Sequence, residues 1–207
     1  MKIESSNHSN KVSGYKGNIK YSVNSDSSFI MKAVSTNIYE DSIGSIIREY
    51  LSNALDECKI LGKPYSSIEV HLPLENEPYF SIKDYGRGMN PDFMTEVYSC
   101  VAKSDKRDSN NTIGGFGMGS KCFCSYSDTM TLISVKDSIK YFHSIYINSD
   151  GVIESNYVNE DTDEPNGTQI IIPVNPGNVS LFKSKYKYWS LFLNPKPKTN
   201  RKLDYTD

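Results

Sequence analysis

Apolar positions recur at helical spacing over one long stretch of the chain. Ile43, Ile46, Ile47, Tyr50, Leu51, Ala54, Leu55 and Cys58 follow one another mostly at steps of three and four, the stripe of an amphipathic helix. Asp41 or Ser42 stands where an N-cap is needed, and Gly62 followed by Pro64 supplies the stop. Further on, the pattern changes to alternation and to short apolar runs. Residues 66–72, 78–85, 128–136, 139–148, 151–158 and 167–174 predict strands. The turns between the last four are short to moderate, which predicts an antiparallel meander for that half.

The remaining segments frame these elements. Residues 1–28 are polar and rich in Ser and Asn, a loose arm with room for one short strand at 17–23. Asn90 and Pro91 suit the cap and first position of a short helix, PDFMTEVYS. The polar run that follows reads as a mobile lid over about 100–113. Leu181, Phe182, Tyr186, Trp189, Leu191 and Phe192 suit a final helix within 179–193. The expected organisation is thus an arm (1–28), one domain (29–193) and a charged, disordered tail (194–207).

Composition narrows the class of protein. A chain of 207 residues is long enough for one well-buried α/β domain. Its net charge of −2 gives no general attraction to nucleic acid or to an anionic membrane. No apolar run approaches the roughly 18–20 residues of a membrane span, and the N-terminus lacks the apolar core of a signal peptide. The expectation is a cytosolic protein. Cys58, Cys100, Cys122 and Cys124 show no CxxC spacing, so buried thiols are expected rather than a metal site.

Three stretches carry candidate chemistry. In TIGGFGMGSKCFCSYS, Gly114, Gly115, Gly117 and Gly119 fall within six residues and precede a run able to open a helix. Such a loop cradles a phosphate through free N–H groups and the helix dipole, or else is simply a hinge. In REYLSNALDE, Glu49, Asn53 and Asp56 share one side of the long helix. Asn53 offers Mg²⁺ a hard oxygen, and Glu49, one turn away, can orient or deprotonate a water. The plain alternative is a solvated helix edge. In DYGRGM, Asp84 ends a strand before alternating glycines, suited to accept from an exocyclic amine or to make an ordinary Asp–Gly turn.

In combination and in this order, REYLSNALDE, DYGRGM, IGGFGMGS and NGTQIII resemble the motifs of the GHKL ATPases. That superfamily includes Hsp90 chaperones, type II topoisomerase ATPase domains, MutL proteins and histidine kinases. The motifs run from Glu49 to Thr168. The run AKSDKRDSNNTIGGFGMGSKCFCSYSDTMTLIS further resembles phage rIIA lysis-inhibition proteins, whose chains are typically much longer. This sequence is accordingly expected to be a domain of such a protein or a minimal relative.

The resemblance implies an α/β two-layer sandwich, a mixed and mostly antiparallel sheet with helices on one face. It implies ATP and Mg²⁺ as ligands, with Glu49 the general base, Asn53 the Mg²⁺ ligand, Asp84 the adenine-reading carboxylate and Asp56 its support. Gly86 and Gly88 would shape the adenine site, with Met89 packing near the base and Thr168 joining the water-mediated contacts to it. Gly115, Phe116, Gly117, Met118, Gly119 and Ser120 would form the phosphate segment, with Lys103 reaching in from the lid. Lys121 is an addition of our own to that set. Relatives usually take a lysine from a following domain and often dimerise, so slow intrinsic hydrolysis and a homodimer are implied. An rIIA-like role implies the cytoplasm of an infected bacterium and a protein partner, an rIIB-like or a host protein. No nucleic-acid partner is implied, and membrane association stays open through another region or protein, though it is not encoded here. The alternative function is a nucleotide-dependent switch or an inhibitor of a host defence protein.

Overall fold

The computed structural model describes residues 17–20 (backbone only), 40–94, 119–149 and 153–205. Helix α1 occupies Ser42–Leu61. Asp41 caps it, its Oδ1 accepting from Gly44 N at 3.0 Å, a contact typically worth about 1 kcal/mol. Burial alone would raise the Asp41 carboxyl, but the Lys185 ammonium and the Gly44 N–H hold it below its ordinary value. At the other end Gly62 adopts φ +62 and its N–H closes onto the last carbonyls, the left-handed stop expected of glycine. All eight apolar positions read from the sequence are buried. At about 1.5–3 kcal/mol for each large aliphatic side chain, that burial outweighs any intrinsic helix preference.

The sheet has eight strands: β1 (Gly17–Lys20), β2 (Glu69–His71), β3 (Tyr79–Asp84), β4 (Thr129–Lys136), β5 (Ile139–Ile147), β6 (Ile153–Asp161), β7 (Gly167–Pro173) and β8 (Lys198–Thr199). Their spatial order is β1-β6-β5-β4-β7-β3-β2-β8. Only the β2–β8 pair is parallel among these strands. Alternation along β3, β4, β5 and β7 sends Phe80, Ile82, Met130, Leu132, Ile145, Ile170 and Ile172 into one core. Helix α2 (Val179–Ser190) packs on that same face, with the Phe182 ring 5.3 Å from that of Phe80. The result is the expected two-layer α/β sandwich with a mixed, mostly antiparallel sheet.

Two expectations are corrected. The meander holds for β4, β5 and β6, but β7 does not continue it. It crosses back and inserts between β4 and β3, pairing antiparallel with both. A strand so placed is covered on both sides, and its run of isoleucines suits that position. The tail expected to be a disordered end is instead tied down. Lys198 N donates to Ile68 O at 2.8 Å, and the Asn200 amide clamps both polar groups of Leu72, at 2.9 and 3.0 Å. Farther on, the Tyr205 hydroxyl meets Ser190 Oγ at 2.8 Å. Backbone and amide hydrogen bonds order this charged segment, and Leu203 packs against the core.

Candidate functional site

The polar residues of α1 turn inward. Asp56 has no exposed surface, Asn53 is half-buried, and the Glu49 side chain is 26% exposed. A solvated helix edge does not describe this arrangement, because a fully buried carboxyl must be matched by polar company. About two turns from the N-cap, Glu49 is gripped from two sides. Arg48 donates from Nη2 and Nε to Glu49 Oε1, at 2.8 and 3.1 Å. On the other side stands Gly119, where any Cβ would fall 2.4 Å from Glu49 Oε2. Only glycine lets the end of the glycine-rich segment come this close. Tyr50 secures the approach, its hydroxyl donating to Ser120 O at 2.9 Å. Beside it, Ser120 Oγ is buried with no hydrogen-bond partner among the described residues. A buried hydroxyl without a partner is costly, and an anionic oxygen at this point would satisfy it.

Eight residues farther along α1, about 12 Å at 1.5 Å per residue, Glu57 meets the turn after β3. Its carboxylate takes Arg87 N, Nε and Nη2 at 3.1, 3.1 and 2.7 Å. Asp84 ends β3 with its Oδ1 accepting from Gly86 N at 2.7 Å, which fixes the plane of the carboxyl. Burial pushes the nearby Cys58 thiol up, and the negative charge of Asp84 adds to the rise. Gly88 has φ +67, and a Cβ there would sit 1.9 Å from Val135 O. The turn therefore lies directly on β4.

The sheet register gathers the rest of the site. Asp84 stands opposite Thr168 on β7, and Thr168 stands opposite Ser134 on β4. Directly paired residues face the same side, so the three form a polar row at the end of the apolar core face. Ser134 Oγ accepts from Met89 N at 2.7 Å and donates to Gly167 O at 3.4 Å. It thereby pins the DYGRGM turn across two strands. Met89 itself is partly buried against the core.

The predicted site residues therefore fall into three sets. Glu49, Gly119 and Ser120 come together at one end of α1. Asp84, Gly86, Gly88, Met89 and Thr168 come together at the other, with Asn53 and Asp56 on the helix between. Lys103, Gly115, Phe116, Gly117 and Met118, with the expected lid at 100–113, lie outside the described residues. Lys121 follows Ser120 directly and is buried, with 1% of its surface exposed. The segment that holds it, Gly119–Ser125, is a 3₁₀ helix. Cys58 and Cys122 are buried, and burial pushes the Cys124 thiol up to about 12, so these are inert thiols.

Sequence reasoning passed over Ser134 and the Glu57–Arg87 pair. Ser134 had a signal, since Met130, Leu132 and Ser134 alternate inward and a polar residue at the third place needs a reason. Glu57 and Arg87 are two more charges among many, and only the fold joins them.

The family model for the histidine kinase-, DNA gyrase B- and HSP90-like ATPases matches residues 19–166. The match takes in α1, the DYGRGM turn and the glycine-rich segment, and it stops just short of Gly167 and Thr168. No curated protein matches the chain. The match covers well over half of the sequence, and the chain belongs to the histidine kinase-, DNA gyrase B- and HSP90-like ATPases as an ATP-binding domain.

Proposed function

We propose that this domain hydrolyses ATP slowly in the presence of Mg²⁺. The observation that carries the reading is the pairing of two ends along α1. Glu49 lies against Gly119 at one end, and the Asp84 row lies against Gly86 and Gly88 at the other. The stretch of helix between Glu49 and Glu57, which meets the turn after β3, is about 12 Å long and suits a nucleoside triphosphate lying between helix and sheet. The buried Asp84 carboxyl accepts from the adenine amine, and Thr168 and Ser134 line the same row. Ser120 Oγ donates to a phosphate oxygen.

Glu49 then orients a water and takes its proton through Oε2. That water attacks the γ-phosphorus, the bond to the bridging oxygen breaks, and ADP carries the bridging oxygen away. Asn53 is the residue to hold Mg²⁺, whose chemistry here is to neutralise charge on the phosphates. The ion keeps several waters and needs only one or two protein oxygens beside the phosphates. The second reading is a non-hydrolysing switch that answers to ATP or ADP.

The biological setting rests on the rIIA-like run alone. It supports a phage protein working in the cytoplasm of an infected bacterium with an rIIB-like or host partner, and the wider family adds a homodimer to the proposal. Calorimetric titration of ATP and ADP with Mg²⁺ tests the site. Asp84→Asn is expected to weaken binding about ten- to a hundred-fold, the value of a hydrogen bond to a charged group. Phosphate release by wild type above that of Glu49→Ala supports hydrolysis, and equal rates leave the switch.

A further inference from the structure

The Arg48–Glu49 contact is unusual for its place. Adjacent residues on an α-helix point about 100° apart and do not face each other. For Arg48 to reach back and put both Nε and Nη2 on one oxygen of Glu49, its side chain must hold one particular rotamer. The side chain is 43% exposed. What lies against it comes from the far end of the domain. The guanidinium carbon sits 5.7 Å from the ring centroid of Trp189 on α2, within the range of a cation–π contact.

We propose that Trp189 and Arg48 are positioning residues for the base, a proposal that rests on the role given to Glu49 above. The indole face fixes the Arg48 rotamer. Arg48 in turn holds Glu49 Oε1, which leaves Oε2 as the oxygen presented beside Gly119. Helix α2 thereby governs the hydrolytic step without touching the nucleotide, and whatever moves α2 changes the rate before it changes affinity.

Two measurements on the full chain test this. Trp189 is the only tryptophan in the sequence, so intrinsic emission reports its contact with the guanidinium. Without nucleotide, Glu49→Ala frees Arg48 and is expected to shift that emission, as is Arg48→Ala. In steady-state turnover, Trp189→Leu is expected to lower kcat about two- to five-fold, the size of a partly exposed cation–π contact. ADP affinity should stay within two-fold, and Trp189→Phe should recover most of the rate. Unchanged emission in Glu49→Ala overturns the coupling whatever the turnover. Equal kcat in wild type, Trp189→Leu and Trp189→Phe overturns the positioning role while leaving the ATPase reading intact. A wild type that releases no phosphate overturns the ATPase reading, and with it any effect of Trp189 on rate. If Trp189→Leu does not fold, Arg48→Lys, which keeps charge but loses the planar fork, must show the same fall in kcat.

Discussion

His143 sits near the middle of β5 with none of its surface exposed. Its Nδ1 is 3.2 Å from Ser155 Oγ, its ring stacks on Tyr157, and its Nε2 is buried without a hydrogen-bond partner among the described residues. Burial holds the imidazole pKa down, from 6.5 to about 4. The folded chain therefore keeps a neutral ring at pH values where an unfolded chain already takes up a proton. Between 6.5 and 4 the unfolded state binds more protons, so stability falls with falling pH through that window and levels off below it. A depression of about 2.5 units at 1.36 kcal/mol per unit comes to about 3 kcal/mol. That is a large part of the 5–15 kcal/mol typical of a domain. Urea unfolding of wild type and His143→Phe at pH 7, 6, 5 and 4 isolates this contribution. The wild type should lose about 3 kcal/mol more than the variant between pH 7 and pH 4. Stability curves that run parallel for the two proteins would refute the reasoning, whichever of them is more stable at pH 7.

Two further substitutions probe the two ends of the site. Gly88→Ala forces a side chain into a left-handed residue and into the Val135 carbonyl. It should cost at least about 3 kcal/mol, or roughly 6–12 °C in melting temperature, and an unshifted calorimetric transition would count against the geometry of the turn. Gly119→Ala pushes on the end of a flexible side chain, Glu49 Oε2, and not on backbone. Phosphate release should therefore fall about ten-fold or more from misplacement of the base, with ADP affinity kept and the melting temperature little moved. A rate equal to that of wild type would separate Glu49 from the chemistry.

Helix α1 was open to reading because its information is local. Apolar spacing, an N-cap and a glycine stop all lie within about twenty residues. The polar row was partly legible, since Asp84 and Thr168 each sit in a motif of recognisable order. Their direct opposition across β3 and β7 was not, because strand neighbours depend on contacts between distant parts of the chain. The same lack hid the return of β7 into the middle of the sheet, which local turn lengths argued against. Charge misled at one place. The tail was read as solvated, yet Asn200 gives Leu72 the hydrogen bonds of a missing strand neighbour. Arg48 and Glu49 stood side by side in the sequence and still gave no hint of touching, since helix geometry separates them until Trp189 arrives.

The strand order also assigns a protective duty to the two ends of the chain. The four-residue β1 and the two-residue β8 form the outermost positions on opposite sides of the sheet. Behind β1 lies β6, nine residues long. Removal of the first twenty residues would lay its ladder of N–H and C=O groups open to another chain, and a long uncovered border of that kind invites self-association. The few residues of each terminal strand are thus sheet covers, and the smallest soluble form of this domain must keep both.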